Sequence, residues 1–234
     1  MIKEGERLEY LTGDLYVLQN EKGYRFTSDA ILLANYVQAG GKSDVVDLCS
    51  GSGVVGILAA YKNNVKSMTL VELQPELAEM SARSVEINGT KNVFVVNEDV
   101  RKFANEANEK FDAACCNPPY YRVGEGKMSD DEKIATCRHE VELTLSEMVK
   151  SAAKILKFGG KFYVVYRADR LAELIFELCK NKLEPKEIVN VLPTKDKEVD
   201  TVLVSAKKGA EKGVRIRSLV RGDIEKDYSI LKRK

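Results

Sequence analysis

Histidine is almost missing from this chain of 234 residues, where His139 is the only one. A metal centre built on several histidines is thereby excluded, and a Ser-His-Asp relay has a single ring to draw on. Cysteine is also scant: five copies, an odd number, with no CxxC pair. That pattern argues against a disulfide framework and against a zinc ribbon. Cys115 and Cys116 adjoin within an apolar run and read as small core residues of a buried strand in a reducing compartment. Long hydrophobic runs are absent too; no stretch approaches about 18 uninterrupted apolar residues, and Met1 to Arg7 lacks the apolar centre of a secretion signal. The expectation is a cytoplasmic protein with no membrane partner and no metal.

Net charge is nearly absent, at +1, but it is unevenly spread. From Lys207 to Lys234 ten Lys or Arg face four acids, an excess of six, which leaves about −5 for the rest. A basic end of this kind either meets phosphate backbones or is simply solvated. A hydrophobic content of 44% and a charged content of 31% suit a chain that buries a real core. The length fits one domain over residues 1–234, with 1–40 as a flanking segment and 207–234 as a basic extension, and a monomer is expected.

Strand and helix patterns alternate along the chain. Ser28 precedes a helical run that Gly40-Gly41 stops; Val45 to Cys49 reads as a buried strand, followed by a glycine turn and a helix over Val54 to Tyr61. The unit repeats with strands near Ser67 to Glu72, Val93 to Val96 and Phe111 to Cys116, and with helices from Pro75 and after Asp99. A long loop covers Tyr121 to Glu140, a helix covers Leu145 to Leu156 with Gly159-Gly160 closing it, and Phe162 to Tyr166 is a strand. A helix over Arg170 to Lys180, an antiparallel pair at Glu187 to Leu192 and Val199 to Ala206, and a strand at Val214 to Val220 complete the reading. This alternation predicts an α/β, Rossmann-like, doubly wound and mostly parallel seven-stranded sheet with helices on both faces.

Gly51-Ser52-Gly53-Val54-Val55-Gly56 satisfies G-x-G-x-x-G, and Glu72 follows about twenty residues later at the end of the next strand. A nicotinamide cofactor would use both features, so the motif alone does not choose a ligand. Asp47, closing the first strand, favours a cationic cofactor such as S-adenosylmethionine, which carries an ammonium and a sulfonium and no phosphate. Asp47 could equally hold the turn through local hydrogen bonds. Asp99 is either an N-cap or a partner for the adenine of a bound nucleoside, and both can hold at once.

Asn117-Pro118-Pro119-Tyr120 ends the fourth strand of this series, at the carboxyl edge where such sheets bind ligands. Asn117 and the Pro118 carbonyl can accept both hydrogens of a conjugated amine, the two prolines stiffen the turn, and Tyr120 can stack on a planar base. Arg122, Lys127 and Arg138 in the long loop, and Arg215, Arg217 and Arg221 in the basic end, are candidates for RNA contact or for plain solvation. By strand alternation, the last three would form one cationic stripe.

Asp47-Leu48-Cys49-Ser50-Gly51-Ser52-Gly53 resembles the cofactor loop of Rossmann-like S-adenosylmethionine-dependent methyltransferases, and Asn117-Pro118-Pro119-Tyr120 resembles their signature for methylating conjugated amino groups. Arg25 to Leu33, Tyr121, Arg138-His139-Glu140 and Leu219 to Ser229 are similar to the bacterial enzymes that form N6-methyladenosine beside the anticodon of valine tRNA. The resemblance implies tRNA as partner and S-adenosylmethionine as cofactor. It places the cofactor against Thr27, Ser28, Asp29, Asp47, Cys49, Gly51, Gly53, Glu72, Leu73, Asp99, Val100 and Asn117, with Tyr121 and His139 on the substrate side. Cys49-Ser50 departs from the residues common in relatives, where Gly or a small residue precedes Ala or Thr. A protein-glutamine methyltransferase is the nearest rival reading, because a carboxamide nitrogen is also conjugated. Ribosomal or DNA amino-methylation, a nicotinamide-dependent oxidoreductase and a non-catalytic RNA-binding module stand further off.

Overall fold

A computed structural model describes residues 2–22, 25–118 and 143–232. The apolar runs become strands β3 (Asp44–Leu48), β4 (Ser67–Glu72), β5 (Val93–Asn97) and β6 (Phe111–Cys116), all mutually parallel, with Leu48 opposite both Val71 and Cys116. Parallel neighbours need crossovers, which α2 (Val54–Asn63), α3 (Pro75–Ile87) and α4 (Val100–Glu106) supply in turn. Strands covered on both faces have no polar side to show, which is why their sequences read as continuous apolar stretches. Val45 enters a core shared with α1 (Ser28–Tyr36) and α2, while Val46 and Leu48 enter another. That second core holds Ala104 of α4, Ala152 of α5 (Leu145–Ile155) and Leu174 of α6 (Leu171–Lys180). A reciprocal capping box starts α5: Thr144 Oγ1 accepts from the Glu147 amide at 3.2 Å, and the Glu147 carboxylate accepts from the Thr144 amide at 2.9 Å.

Among the described residues the sheet has eight strands rather than the seven expected, in the order β10-β8-β9-β7-β6-β3-β4-β5. β7 (Leu156–Arg167), β9 (Thr201–Lys208) and β8 (Leu183–Leu192) form the antiparallel part, and β10 (Arg215–Val220) adds the eighth strand, parallel to β8. Gly159-Gly160 does not close a helix. α5 stops at Ile155, β7 begins at once, and Gly159, at φ +80°, lies inside the strand where the β6–β7 register shifts. An antiparallel hairpin outside the main sheet, β1 (Glu6–Thr12) and β2 (Leu15–Asn20), docks on α3, where the Leu18 amide donates to Ser84 Oγ and the Tyr16 amide donates to Asn88 Oδ1, both at 2.9 Å. After β10 the chain forms a short α7 (Arg221–Lys226) and a 3-10 turn over Tyr228–Leu231, whose Leu231 is buried in the core of α1 and α2.

Gly56 sets the distance between α2 and the sheet. A β-carbon there would lie 2.1 Å from Leu70 Cδ2 and 3.1 Å from Asp47 Cβ, both in the packed interior. The third glycine of the turn motif is therefore a packing residue. Gly56→Ala is expected to lower unfolding stability by about 1–3 kcal/mol through overpacking, read from urea midpoints; an unchanged midpoint would mean that the joint relaxes freely.

Candidate active site

Four strand ends and one helix start converge at the carboxyl edge of the sheet. Between β3 and α2 the turn is built from left-handed residues, Cys49 at φ 58°, Gly51 at 56° and Gly53 at 86°. Glycine takes these angles freely, whereas Cys49 bears a strain of roughly 1–2 kcal/mol. Two acids hold the turn in place. Asp47 lies fully buried beneath it, accepting from the Gly56 amide at 2.8 Å and from the Cys115 thiol at 3.6 Å. Glu72 grips it from β4, one oxygen accepting from the Gly51 amide at 2.8 Å and the other from the Gln74 amide at 2.9 Å. Ser81 of α3 closes the ring by donating to the Gly51 carbonyl at 2.9 Å.

Of the two uses for Asp47 that the sequence left open, its contacts are those of the turn holder. Glu72 stands at the end of β4, where Asn97 secures the chain by donating to the Glu72 and Leu73 carbonyls at 2.8 and 2.9 Å. Asp99 caps α4 by accepting from the Arg101 amide at 2.7 Å and pairs with the Arg101 guanidinium at 2.5 Å, which holds its carboxyl below the usual range. Leu73 is exposed and Val100 is buried. The Ser50 hydroxyl is buried in the turn without a hydrogen-bond partner among the described residues. An orphaned hydroxyl in the turn and acids at two strand ends fit a cationic nucleoside cofactor better than a pyrophosphate.

Asn117 and Pro118 follow the last residue of β6, which pairs with Leu48 of β3, so they stand directly beside the glycine turn. Pro118 is buried and Asn117 half-buried. Pro119, Tyr120, Tyr121, Arg122, Lys127, Arg138 and His139 lie outside the described residues. Thr27 precedes α1 and is exposed, while Ser28 and Asp29 in its first turn meet Arg221, whose guanidinium donates to Ser28 Oγ at 2.8 Å, to Asp29 at 3.0 Å and to Thr201 Oγ1 at 3.1 Å.

The cationic stripe expected in the basic end does not form. Arg217 pairs with the buried Glu187 at 3.3 Å and donates to the Ile230 and Leu231 carbonyls at 2.6 and 2.8 Å. Arg221 has left the strand for α7, and Arg215 is the member left exposed. Sequence reasoning missed Ser50, Ser81, Asn97 and Arg101; for Arg101 the signal was its place two residues after an N-cap aspartate, and Ser81 carried none. Among the described residues no group of His, Cys, Asp and Glu is placed to hold a metal, and no helix is long and apolar enough to cross a membrane.

Burial pushes the Asp47 carboxyl up to about 7, with the Gly56 amide and the Cys115 thiol opposing that rise. Its folded value thus lies above the unfolded one, so the folded chain holds the extra proton between about pH 4 and 7 and loses stability as pH rises through that window. Relative to Asp47→Asn, which does not titrate, the wild-type chain is expected to gain stability on acidification from pH 8 to pH 5. Urea midpoints at four pH values measure this, and parallel curves would contradict it.

The family model described as the methyltransferase small domain matches residues 25–180. A tRNA1(Val) (adenine(37)-N6)-methyltransferase of Flavobacteriaceae bacterium (strain 3519-10) is 26% identical over 150 residues, which are 64% of this chain and 62% of that one. The chain thus aligns with less than two thirds of that relative's length. A protein of the same description from Shewanella woodyi is 24% identical over 81% of this chain and 79% of its own. Among solved structures, an Agrobacterium tumefaciens protein described as a predicted O-methyltransferase superposes with a TM-score of 0.66 at 26% identity, covering 82% of this chain and 86% of that one. TYW2 of M. jannaschii in complex with AdoMet gives 0.61 at 17% identity, covering 88% and 86%. With a matching model over most of its length and this turn geometry, the chain belongs to the methyltransferase small-domain family, as a class I S-adenosylmethionine-dependent enzyme.

Proposed function

We propose that the protein transfers a methyl group to the exocyclic N6 of an adenine in tRNA, beside the anticodon and in valine tRNA. The observation that carries this reading is the position of Asn117-Pro118 next to the glycine turn, one strand away from it. Support comes from the curated relatives, which are described as acting on adenine 37 of a valine tRNA.

An adenine amine is a weak nucleophile because its lone pair is delocalised into the ring. Asn117 Oδ1 and the Pro118 carbonyl accept its two hydrogens and turn the nitrogen toward tetrahedral geometry, which returns electron density to it. Tyr120 stacks on the base, a contact worth about 1–3 kcal/mol. S-adenosylmethionine, when bound, would supply an electrophilic methyl on a positively charged sulfur; Glu72 would receive its ribose hydroxyls and Asp99 its adenine amine. Once methylated, the nitrogen would shed its extra proton through Asn117 or water. No strong base is needed, since holding nucleophile and methyl in line supplies up to about 7–11 kcal/mol. Of Arg215, Arg217 and Arg221, Arg215 is the one exposed to a phosphate.

Asn117→Ala is expected to keep its affinity for S-adenosylmethionine while methyl transfer falls at least about a hundredfold, or about 2.7 kcal/mol of transition-state stabilisation. The assay offers methyl-labelled cofactor with unmodified tRNA, ribosomal RNA, DNA and release-factor protein, and identifies the product by mass spectrometry. Label as N6-methyladenosine in tRNA bears the reading out. Label confined to protein glutamine overturns the substrate, and full activity in Asn117→Ala overturns the residue's role.

A further inference from the structure

A cleft of about 580 Å³ opens at the carboxyl edge on the far side of Asn117 from the glycine turn. Tyr166, Arg167 and Asp169 line it from the end of β7 and the 3-10 turn that follows, Asp200 and Thr201 from the start of β9, and Arg221 from α7. β6 ends at Cys116 opposite Val164, two residues short of Tyr166, so the cleft begins one strand spacing, about 4.8 Å, from the amine-binding turn. The resemblance places Ser28 and Asp29 against the cofactor, and Arg221 is a candidate for RNA contact, but Tyr166, Arg167, Asp169, Asp200 and Thr201 have no role in either.

The lining groups select among ligands. Asp29, Asp169 and Asp200 outnumber Arg167 and Arg221, so a bare polyanion is poorly matched. Most of these charges are engaged: Arg221 holds Asp29 at 3.0 Å, and the Arg167 Nε donates to Asp169 at 3.0 Å. Asp200 differs. Its carboxylate comes no nearer than 3.7 Å to Arg221, beyond hydrogen-bond length, and its side chain is 52% exposed. Its backbone is fixed meanwhile, because the Asp200 carbonyl accepts from the Ala168 amide at 3.0 Å. The cleft thus offers an anchored carboxylate with acceptor capacity to spare, beside guanidiniums and the Thr201 hydroxyl. A sugar hydroxyl next to a phosphate has the complementary chemistry, one donor and one anion a short step apart.

We propose that this cleft holds the ribose of the nucleotide adjoining the methylated adenine, with Asp200 accepting a hydrogen bond from its 2′-hydroxyl and Arg167 facing the attached phosphate. The inference rests on the RNA reading above and adds to it a device that distinguishes RNA from DNA at one position.

The test uses a tRNA anticodon stem-loop made with ribose throughout and with a single 2′-deoxyribose on either side of the target adenine. KM is measured with the wild-type chain and with Asp200→Asn, and cofactor affinity is measured by calorimetry. One deoxy substitution is expected to raise the wild-type KM about tenfold, the scale of a hydrogen bond to a charged group. In Asp200→Asn, whose neutral amide oxygen is a weaker acceptor, the same substitution is expected to cost clearly less, with the affinity for S-adenosylmethionine unchanged. Equal wild-type KM values for all three RNAs would overturn the cleft's role while leaving the RNA reading intact. Weakened cofactor binding in Asp200→Asn would assign the cleft to the cofactor, and failure to methylate any RNA would remove both readings together.

Discussion

The amide of Gly56 donating to the buried Asp47 carboxylate is the contact on which the carboxyl edge depends. It joins the first turn of α2 to the end of β3, placing an acid where the partial positive charge of a helix start lies. The turn above it passes through three left-handed residues and has little reason of its own to keep that shape. Glu72 and Ser81 hold Gly51 from its two polar ends, so β3, β4, α2 and α3 all meet at one short loop. A loop gripped from several elements is preorganised, and a ligand there need not spend binding free energy on ordering it.

The two sides of the edge differ in charge. On the glycine-turn side, among the described residues, Asp47 and Glu72 meet amides and a thiol rather than an arginine or lysine. On the other side Arg167 and Arg221 are interleaved with Asp29, Asp169 and Asp200. The first arrangement suits a fixed cation, the second a ligand with donors and acceptors alternating along it. Asn117 stands between them.

Much of this was legible in the sequence because the signals are local. The strand, glycine turn and helix of residues 44–63 follow from an apolar run, three glycines and a helical period, and each of these acts over a few residues. What escaped depends on partners far away in the chain. Gly159-Gly160 looks like a helix stop, yet whether two glycines end a helix or kink a strand is decided by the neighbouring β6, which supplies the ladder. Arg215, Arg217 and Arg221 share a spacing but not a fate, because Glu187 and the carbonyls of residues 230 and 231 claim one and Asp29 claims another. The hairpin of β1 and β2 is anchored by Ser84 and Asn88, residues with no signal in their own surroundings.

The bond from Arg221 to Ser28 spans 193 positions of chain. During synthesis the first helix of the sheet's cover therefore emerges long before the residue that fastens its amino end. Until Arg221 leaves the ribosome, the carboxylate of Asp29 lacks its guanidinium and the adjoining cleft lacks one wall. A nascent chain that has already folded its glycine turn thus still lacks the finished cleft beyond Asn117, and the order of translation separates the two in time.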